Sequence, residues 1–165
     1  MKKITLLALL SFLTLSSIAQ NKFGYVEYPN LIMSMPEKKI ARAEVANFAK
    51  NLEAQLNTMI AEYKERVQEF QANELTYTNL AKQDKVAEIT VLEQRIQAFK
   101  QNAQESLKTK EQELLKPILL KARKAIEDVA TEGNYTYIFD KSSENILYAK
   151  EGENVTPLVK KKLGL

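Results

Sequence analysis

The chain has 165 residues, with 24 Lys and Arg against 21 Asp and Glu, and it contains neither histidine nor cysteine. Without these two side chains it cannot build a disulfide, an ordinary zinc site or a nucleophile activated by an imidazole. Setting aside Lys2 and Lys3 leaves 22 basic against 21 acidic residues, so there is no broad electrostatic case for binding nucleic acid or a membrane surface.

Residues 1–19 have the pattern of a secretory signal peptide. Two lysines precede an apolar run from Ile4 to Leu15, and small residues lead to a cleavage site after Ala19. The run is too short to span a bilayer, although an uncleaved anchor is the alternative interpretation. The absence of cysteine excludes lipid attachment to a cleaved N-terminal cysteine. We therefore expect a mature chain that begins at Gln20 and is located in the periplasm.

The mature chain is predicted to open with a short strand and one helical turn. The strand covers Phe23–Tyr28 and is ended by Pro29, because proline cannot donate a hydrogen bond to a sheet. Residues 29–34 make the helical turn. Pro36 then suits the first position of a longer helix, where its missing N–H is not needed.

A long helical element follows, because neither glycine nor proline occurs between Glu37 and Lys116. Two apolar stripes at helical spacing flank a cluster of poor helix formers at residues 73–79. One straight helix would leave both stripes in water, so we predict an antiparallel hairpin that folds back at 73–79. Either Thr78 or Asn79 caps the returning helix. The stripe positions are Val45, Phe48, Leu52, Leu56, Met59, Tyr63, Val67 and Phe70, followed by Ile89, Leu92, Ile96, Phe99, Ala103, Leu107 and Leu114.

The returning helix is predicted to continue past the arm. Apolar residues keep a helical pattern beyond Pro117, which removes one backbone hydrogen bond and should bend the helix there. Gly133 then supplies the C′ residue that stops the helix. Near the C-terminus, Thr156 is expected to cap a short last helix with Pro157 as its first residue.

Strands and aromatic residues cluster at the two ends of the mature chain. Tyr135–Phe139 alternates aromatic and β-branched residues, and Ile146–Ala149 is expected to pair back on it after a polar turn. Together with Phe23–Tyr28 these segments hold seven of the twelve aromatic residues of the mature chain, so we expect the core there. Three short strands leave open edges and bury little area, which favours sharing them between subunits around a symmetry axis.

The predicted fold class is therefore α+β and predominantly α. A helical hairpin forms an arm over residues 37–116. It is attached to a β-rich oligomerisation body made of residues 20–36 and 117–165, which is built from short strands shared between subunits.

No constellation of catalytic residues stands out. Carboxylates such as Glu62, Glu65 and Glu69 recur at helical spacing, yet a charged arm face keeps them solvated. Lys160–Lys162 could bind an acidic partner, although basic residues are common at a helix C-terminus because they interact favourably with the helix dipole. We expect no enzymatic activity, no metal and no bound cofactor.

The pattern resembles the Skp/OmpH family of periplasmic chaperones over residues 22–163. The arms match the family in pattern only, and the most specific likeness lies in the segment that begins at Tyr137. The segments that carry the resemblance are Tyr28–Ile32, Met35–Glu37, Lys116–Ile118, Tyr137–Ser143 and Ile146–Ala149.

The resemblance implies a homotrimer in which three subunits share a small β-barrel body and three hairpins surround a cavity. Unfolded outer membrane β-barrel proteins are held in that cavity without ATP. Well-known members have markedly basic arms, and this chain departs from them because its arm helices are nearly neutral. The residues expected in the shared body are Phe23, Tyr25, Val26, Tyr28, Tyr135, Tyr137, Phe139, Ile146 and Tyr148.

Candidate contacts with such clients lie on the first stripe and at the tip. On the stripe the spacing favours packing between the two arm helices over ligand contact. The candidates are Met59, Tyr63 and Phe70 on the stripe, and Leu75, Tyr77 and Leu80 at the tip. The alternative function is that of a structural or adaptor protein of the envelope whose hairpin docks a partner coiled coil. The tip has no repeated docking motif, which favours the chaperone.

Overall fold

The structure is a computed structural model that describes residues 21–143, 146–150 and 153–165. The predicted signal peptide lies outside the described residues. Within the three described ranges, none of the helices is long and apolar enough to cross a membrane. The predominantly helical α+β prediction is confirmed. In chain order the elements are β1 (Phe23–Val26), α1 (Tyr28–Ser34), α2 (Pro36–Asn73), α3 (Asn79–Glu132), β2 (Tyr137–Asp140) and α4 (Thr156–Leu163).

The predicted helical hairpin is confirmed, and it is built from α2 and α3. α2 ends at Asn73, residues 74–78 form the connection, and α3 begins at Asn79. The Thr78 hydroxyl accepts a hydrogen bond from the Ala81 N–H at 3.3 Å, so Thr78 rather than Asn79 caps the returning helix. The 38 residues of α2 give an arm of about 57 Å at 1.5 Å per residue.

The two apolar stripes lie in the seam between these helices. Every stripe residue is buried or half-buried, and Ile96 is the most deeply buried of them. Charged neighbours such as Glu53 and Lys64 are exposed. Each arm helix therefore buries one narrow stripe and leaves its other faces in water.

α3 is one continuous helix of 54 residues that includes Pro117. Its first part forms the arm, whereas its buried residues from Ile118 onward belong to the core of the body. The helix thus runs through the predicted arm–body boundary without a break, since a proline removes only one of its backbone hydrogen bonds. The bend at Pro117 and the boundary itself stay predictions.

The end of α3 falls at the predicted glycine. α3 stops at Glu132, but the left-handed residue is Asn134, with φ of 51°, whereas Gly133 has φ of −91°. The Gly133 N–H donates to the Val129 carbonyl at 2.9 Å. A Cβ atom at position 133 would lie 2.4 Å from Cε2 of Tyr135. The predicted stop at Gly133 is therefore confirmed, and glycine is required there by space rather than by backbone conformation.

β1 is shorter than predicted. It ends at Val26, and Tyr28 begins α1 instead of ending the strand. Pro29 falls in the first turn of α1, where its fixed φ and missing N–H suit a helix. The Tyr28 N–H donates to the Asp140 carboxylate at 3.3 Å, which satisfies one of the free N–H groups at the helix start.

β1 and β2 form a two-stranded parallel sheet, with Phe23 opposite Tyr137 and Val26 opposite Asp140. Parallel strands need a long crossover connection, and the whole helical hairpin serves as that connection. On its other edge, β1 meets the C-terminal segment through a bridge between Tyr25 and Asn154.

The predicted strand Ile146–Ala149 does not form within the chain. The described residues 146–150 have no strand partner, and Leu147 and Tyr148 are 96% and 84% exposed. The expected pairing is therefore wrong for the single chain, in which the neighbour of β2 is β1. Among the described residues, the outer edge of β2 is left without a partner.

The core of the body is aliphatic rather than aromatic. The helices α1, α3 and α4 supply most of it and pack on β1. Its buried residues are Val26, Leu31, Ile32, Met35, Ala41, Ile118, Ala122, Ala125, Val129, Val155 and Val159.

The seven aromatic residues that were expected to form the core lie mostly outside it. Only Tyr25 is buried, and Tyr28 and Tyr135 are half-buried. The other four are exposed within the single chain. Phe23, Tyr137 and Phe139 lie on the face of the small sheet that the core does not cover, and Tyr148 lies outside the sheet.

α4 begins at Thr156, but the Thr156 hydroxyl does not cap it. Its Oγ1 accepts a hydrogen bond from the Glu27 N–H at 3.0 Å and so joins α4 to the start of α1. The capping position is Val155, and Asn154 Oδ1 accepts from the Thr156 N–H at 2.9 Å. The predicted cap was wrong by one residue, whereas Pro157 falls in the first turn as expected.

Candidate functional site

The structure places the candidates of the first stripe in the seam between the arm helices. Met59, Tyr63 and Phe70 are all half-buried there. Phe70 also stacks on Tyr77 at the tip, with ring centroids 6.2 Å apart and planes 21° apart. These side chains hold the hairpin together, and only part of their surface is open to a ligand.

The tip presents two apolar side chains to solvent. Leu75 is 97% exposed and Leu80 is 70% exposed. Their backbone is held by the Thr78 cap and by a hydrogen bond from the Thr76 N–H to the Asn73 carbonyl at 2.9 Å. Leu75 in the connection and Leu80 in the first turn of α3 are therefore both open to solvent rather than buried in the seam.

The arm carries three further exposed apolar side chains that were not predicted from the sequence. Ile40 lies near the start of α2, and Val86 and Val91 lie on α3 beyond the tip; all three are about half exposed. For Val91 the sequence signal is that it lies between Ile89 and Leu92 without sharing the spacing of the stripe. Val86 stands three residues before Ile89, at the spacing of the stripe, and the sequence gives no signal that it is exposed.

Charged side chains near the tip are paired within and between the arm helices. Lys85 of α3 lies 3.7 Å from Glu69 of α2 and 3.4 Å from Glu88. The hydrogen bond to Glu88 and the charge of Glu69 raise the pKa of Lys85. Arg66 donates to Glu69 at 3.1 Å, and this bond raises the pKa of Arg66. Exposed pairs of this kind contribute little to stability, but they offset the positive charge of the basic groups.

A further ion pair joins the two helices at the base of the arm. Glu37, in the first turn of α2, binds Lys121 of α3. The hydrogen bond from Lys121 lowers the pKa of the Glu37 carboxyl. Both residues line a cleft of about 260 Å³ that has Ile40 and Ile118 in its walls. That volume is below the range of pockets that enclose drug-sized ligands.

The body has a second open cleft of about 500 Å³, between the end of α3 and α4. At its rim Lys162 pairs with Glu132, and the hydrogen bond raises the pKa of Lys162. Val129 and Leu158 add apolar surface to the lining. Across the described part of the chain, no group of three potential metal ligands comes together.

The outer face of the sheet carries an exposed aromatic patch. It consists of Phe23, Tyr137 and Phe139, of which Tyr137 is 60% exposed. The three ring centroids lie between 6.0 and 6.2 Å from one another. Exposed aromatic groups beside an open strand edge are the features of a surface that another chain covers.

Comparisons with known proteins agree with this architecture. Among solved structures, a protein from Caulobacter crescentus that carries the provisional name outer membrane chaperone (OmpH-like) has a TM-score of 0.77 to this chain. It is 17% identical and the match covers 88% of this chain and 85% of that chain, so the likeness shows the fold alone. No curated protein sequence matches the chain. The family model for outer membrane proteins of the OmpH-like type matches residues 22–163. Because that match spans nearly all of the described residues, the chain belongs to the OmpH-like outer membrane protein family.

Proposed function

We propose that this protein is a chaperone of the cell envelope that binds unfolded outer membrane β-barrel proteins between its helical arms, without ATP, and prevents their aggregation. Membership of the OmpH-like family and the name of the Caulobacter protein support this assignment. The observation that carries it is the arm itself. A hairpin of about 57 Å that buries only one stripe, and that holds Leu75 and Leu80 in solvent, offers an extended surface to an unfolded chain.

The body is proposed to be trimeric. The aromatic patch, the open edge of β2 and the unpaired segment 146–150 are all left exposed by a single chain. Pairing of that segment with β2 of a neighbouring subunit would cover all three features, since an extended segment adds readily to an open sheet edge. The number of subunits follows the family resemblance. In such a trimer the three arms would surround a common cavity.

The proposed location is the periplasm. The apolar run and small-residue cleavage site in residues 1–19 support export. Proteins on their way to the outer membrane pass through that compartment unfolded, and ATP-independent binding suits it.

The test is suppression of aggregation. A urea-unfolded outer membrane β-barrel protein is diluted into buffer without ATP, with and without the purified protein, and light scattering is followed. We expect scattering to fall in proportion to the added protein, and the client to fold when detergent micelles are supplied afterwards. An equal mass of an unrelated soluble protein is the control, and scattering equal to that control would refute the proposal.

In the adaptor alternative, Leu75 and Leu80 at the tip would contact the partner protein. If the hairpin docked a single partner coiled coil, the double variant Leu75→Ser, Leu80→Ser would lose one stoichiometric partner in pull-downs from envelope extracts. Suppression of aggregation would then be absent from the unmodified protein as well. The two outcomes separate the adaptor from the chaperone.

A further inference from the structure

The arm carries no net charge. α2 contains six basic and six acidic residues. The arm part of α3, from Asn79 to Lys116, contains seven basic and six acidic residues, and Glu74 in the connection balances the difference. The two signs are interspersed along both helices, and two of the basic groups near the tip, Arg66 and Lys85, are paired with carboxylates.

A charge pattern of this kind gives little attraction at a distance. Exposed charges are screened beyond about 8 Å at physiological ionic strength, and balanced charges cancel even within that range. The arm therefore neither draws in nor repels a chain according to the sign of its charge. Binding of a client is therefore determined by short-range contacts.

The exposed apolar side chains of α3 provide such contacts. Leu80 and Val91 are eleven residues apart, which is close to three helical turns, so they share one face. Both are exposed. Val91 lines an open cleft between the two arm helices, together with Leu92 of its own helix and Glu62 and Arg66 of α2. Leu75 adds a third exposed apolar group at the tip.

We propose that the arms recognise unfolded chains through apolar contacts centred on Leu80 and Val91, and that capture is independent of the net charge of the client. The inference rests on the proposed function and goes further by naming the recognition chemistry. The fitting partner is an unfolded membrane β-strand sequence, because every second residue of such a strand is apolar and is exposed to water until the barrel inserts. Acidic and basic clients are bound alike.

The first experiment varies salt and client charge. The probes are one urea-unfolded outer membrane β-barrel protein of acidic net charge and a variant of it made basic by Asp→Asn and Glu→Gln substitutions. Dissociation constants are measured by fluorescence at about 50 mM and about 500 mM NaCl, a range over which screening changes several-fold. We expect both probes to bind equally, with a change of less than about threefold between the salts, since apolar burial is not weakened by salt.

The second experiment uses matched variants on one helical face. Leu80→Gln with Val91→Gln removes the two apolar groups, and Arg95→Gln removes a cation four residues beyond Val91 on the same face. Glutamine is a good helix former, and circular dichroism checks that helicity is kept. The apolar double variant is expected to bind about tenfold more weakly at both salt concentrations, from the apolar area lost. Arg95→Gln is expected to bind like the unmodified protein.

Three results would overturn the inference. A loss of more than about tenfold in affinity at high salt would show that Coulombic attraction governs capture. If Arg95→Gln lost as much affinity as the double variant, Coulombic attraction would likewise govern capture. If the double variant bound the probes with unchanged affinity, Leu80 and Val91 would not be part of the contact surface. Failure of the unmodified protein to bind either probe at any salt concentration is a different result, and it refutes the proposed function itself.

Discussion

At the residue scale, the Tyr135 ring leaves no space for a side chain at two neighbouring positions. Its ring lies 2.4 Å from where a Cβ atom of Gly133 would be, and 3.0 Å from that of Gly24. On the same ring, the ammonium group of Lys22 sits 4.0 Å from the centroid and also donates to the Gly133 carbonyl at 2.7 Å. Both glycines are therefore required by the close approach of this side chain.

The substitution Gly133→Ala tests this close approach. It should lower the free energy of unfolding by about 1–3 kcal/mol, because the added methyl group meets a ring that cannot move toward Gly24. Urea denaturation followed by circular dichroism gives the value. In a Tyr135→Ala background the same substitution should be neutral or slightly stabilising, since alanine tolerates a φ of −91°. An equal loss in both backgrounds would contradict the steric explanation.

At the element scale, the hairpin could be predicted because its signals are local. The absence of glycine and proline, the spacing of the stripes and the polar turn all lie within a few residues of the feature they indicate. The connection at 74–78 falls inside the predicted 73–79, and Thr78 fills one of the two predicted capping positions. The same local reasoning misplaced the end of β1 and the start of β2 by two residues, because short strands are defined by their partners.

The substitution Thr78→Ala should lower the free energy of unfolding by about 1 kcal/mol, the usual effect of losing a helix cap. Hydrogen exchange of the Ala81 amide, whose N–H binds the Thr78 hydroxyl, should speed up more than exchange elsewhere in α3. Thr90→Ala is the matched control on the same helix. Its hydroxyl donates to the Val86 carbonyl inside the helix, so its loss should be neutral or slightly stabilising. Equal effects of the two substitutions would argue against a capping role.

At the scale of the whole molecule, the single chain leaves surfaces that a subunit partner would cover. The aromatic patch of Phe23, Tyr137 and Phe139 lies on the small sheet. Another exposed pair, Leu147 and Tyr148, follows β2 in the chain. The aliphatic core beneath them is complete without these side chains. We therefore expect the body to fold its own core within each subunit and to use the aromatic residues for assembly.

Replacing Tyr137 with Asp should dissociate the proposed trimer, because a carboxylate cannot be buried without a partner in an aromatic interface. Light scattering after size exclusion should report a smaller species, while circular dichroism retains much of the helical signal of the arms. Thermal stability of the unmodified protein should rise with its concentration. Leu75→Asp, at the exposed tip, is the control and should leave the mass unchanged. A monomeric mass for the unmodified protein would refute the assembly.

The candidate site could be predicted only in part. Leu75, in the connection, and Leu80, in the first turn of α3, are candidates from the sequence, and the structure leaves both in solvent. Their contact with a client stays a prediction. Met59, Tyr63 and Phe70 belong to the stripe and lie half-buried in the seam. Val91 was missed, since an apolar residue that lies off a helical stripe becomes informative only when the position of the partner helix is known.

The sequence by itself determined the helical hairpin, its turning point, the continuation of α3 beyond Pro117 and the family resemblance. All of these rest on interactions between residues a few positions apart. Only the tertiary structure decided that β1 and β2 run parallel, that Thr156 binds Glu27 rather than capping its own helix, and that the core is aliphatic. These features depend on which residues more than a hundred positions apart come into contact, and no local spacing encodes that choice.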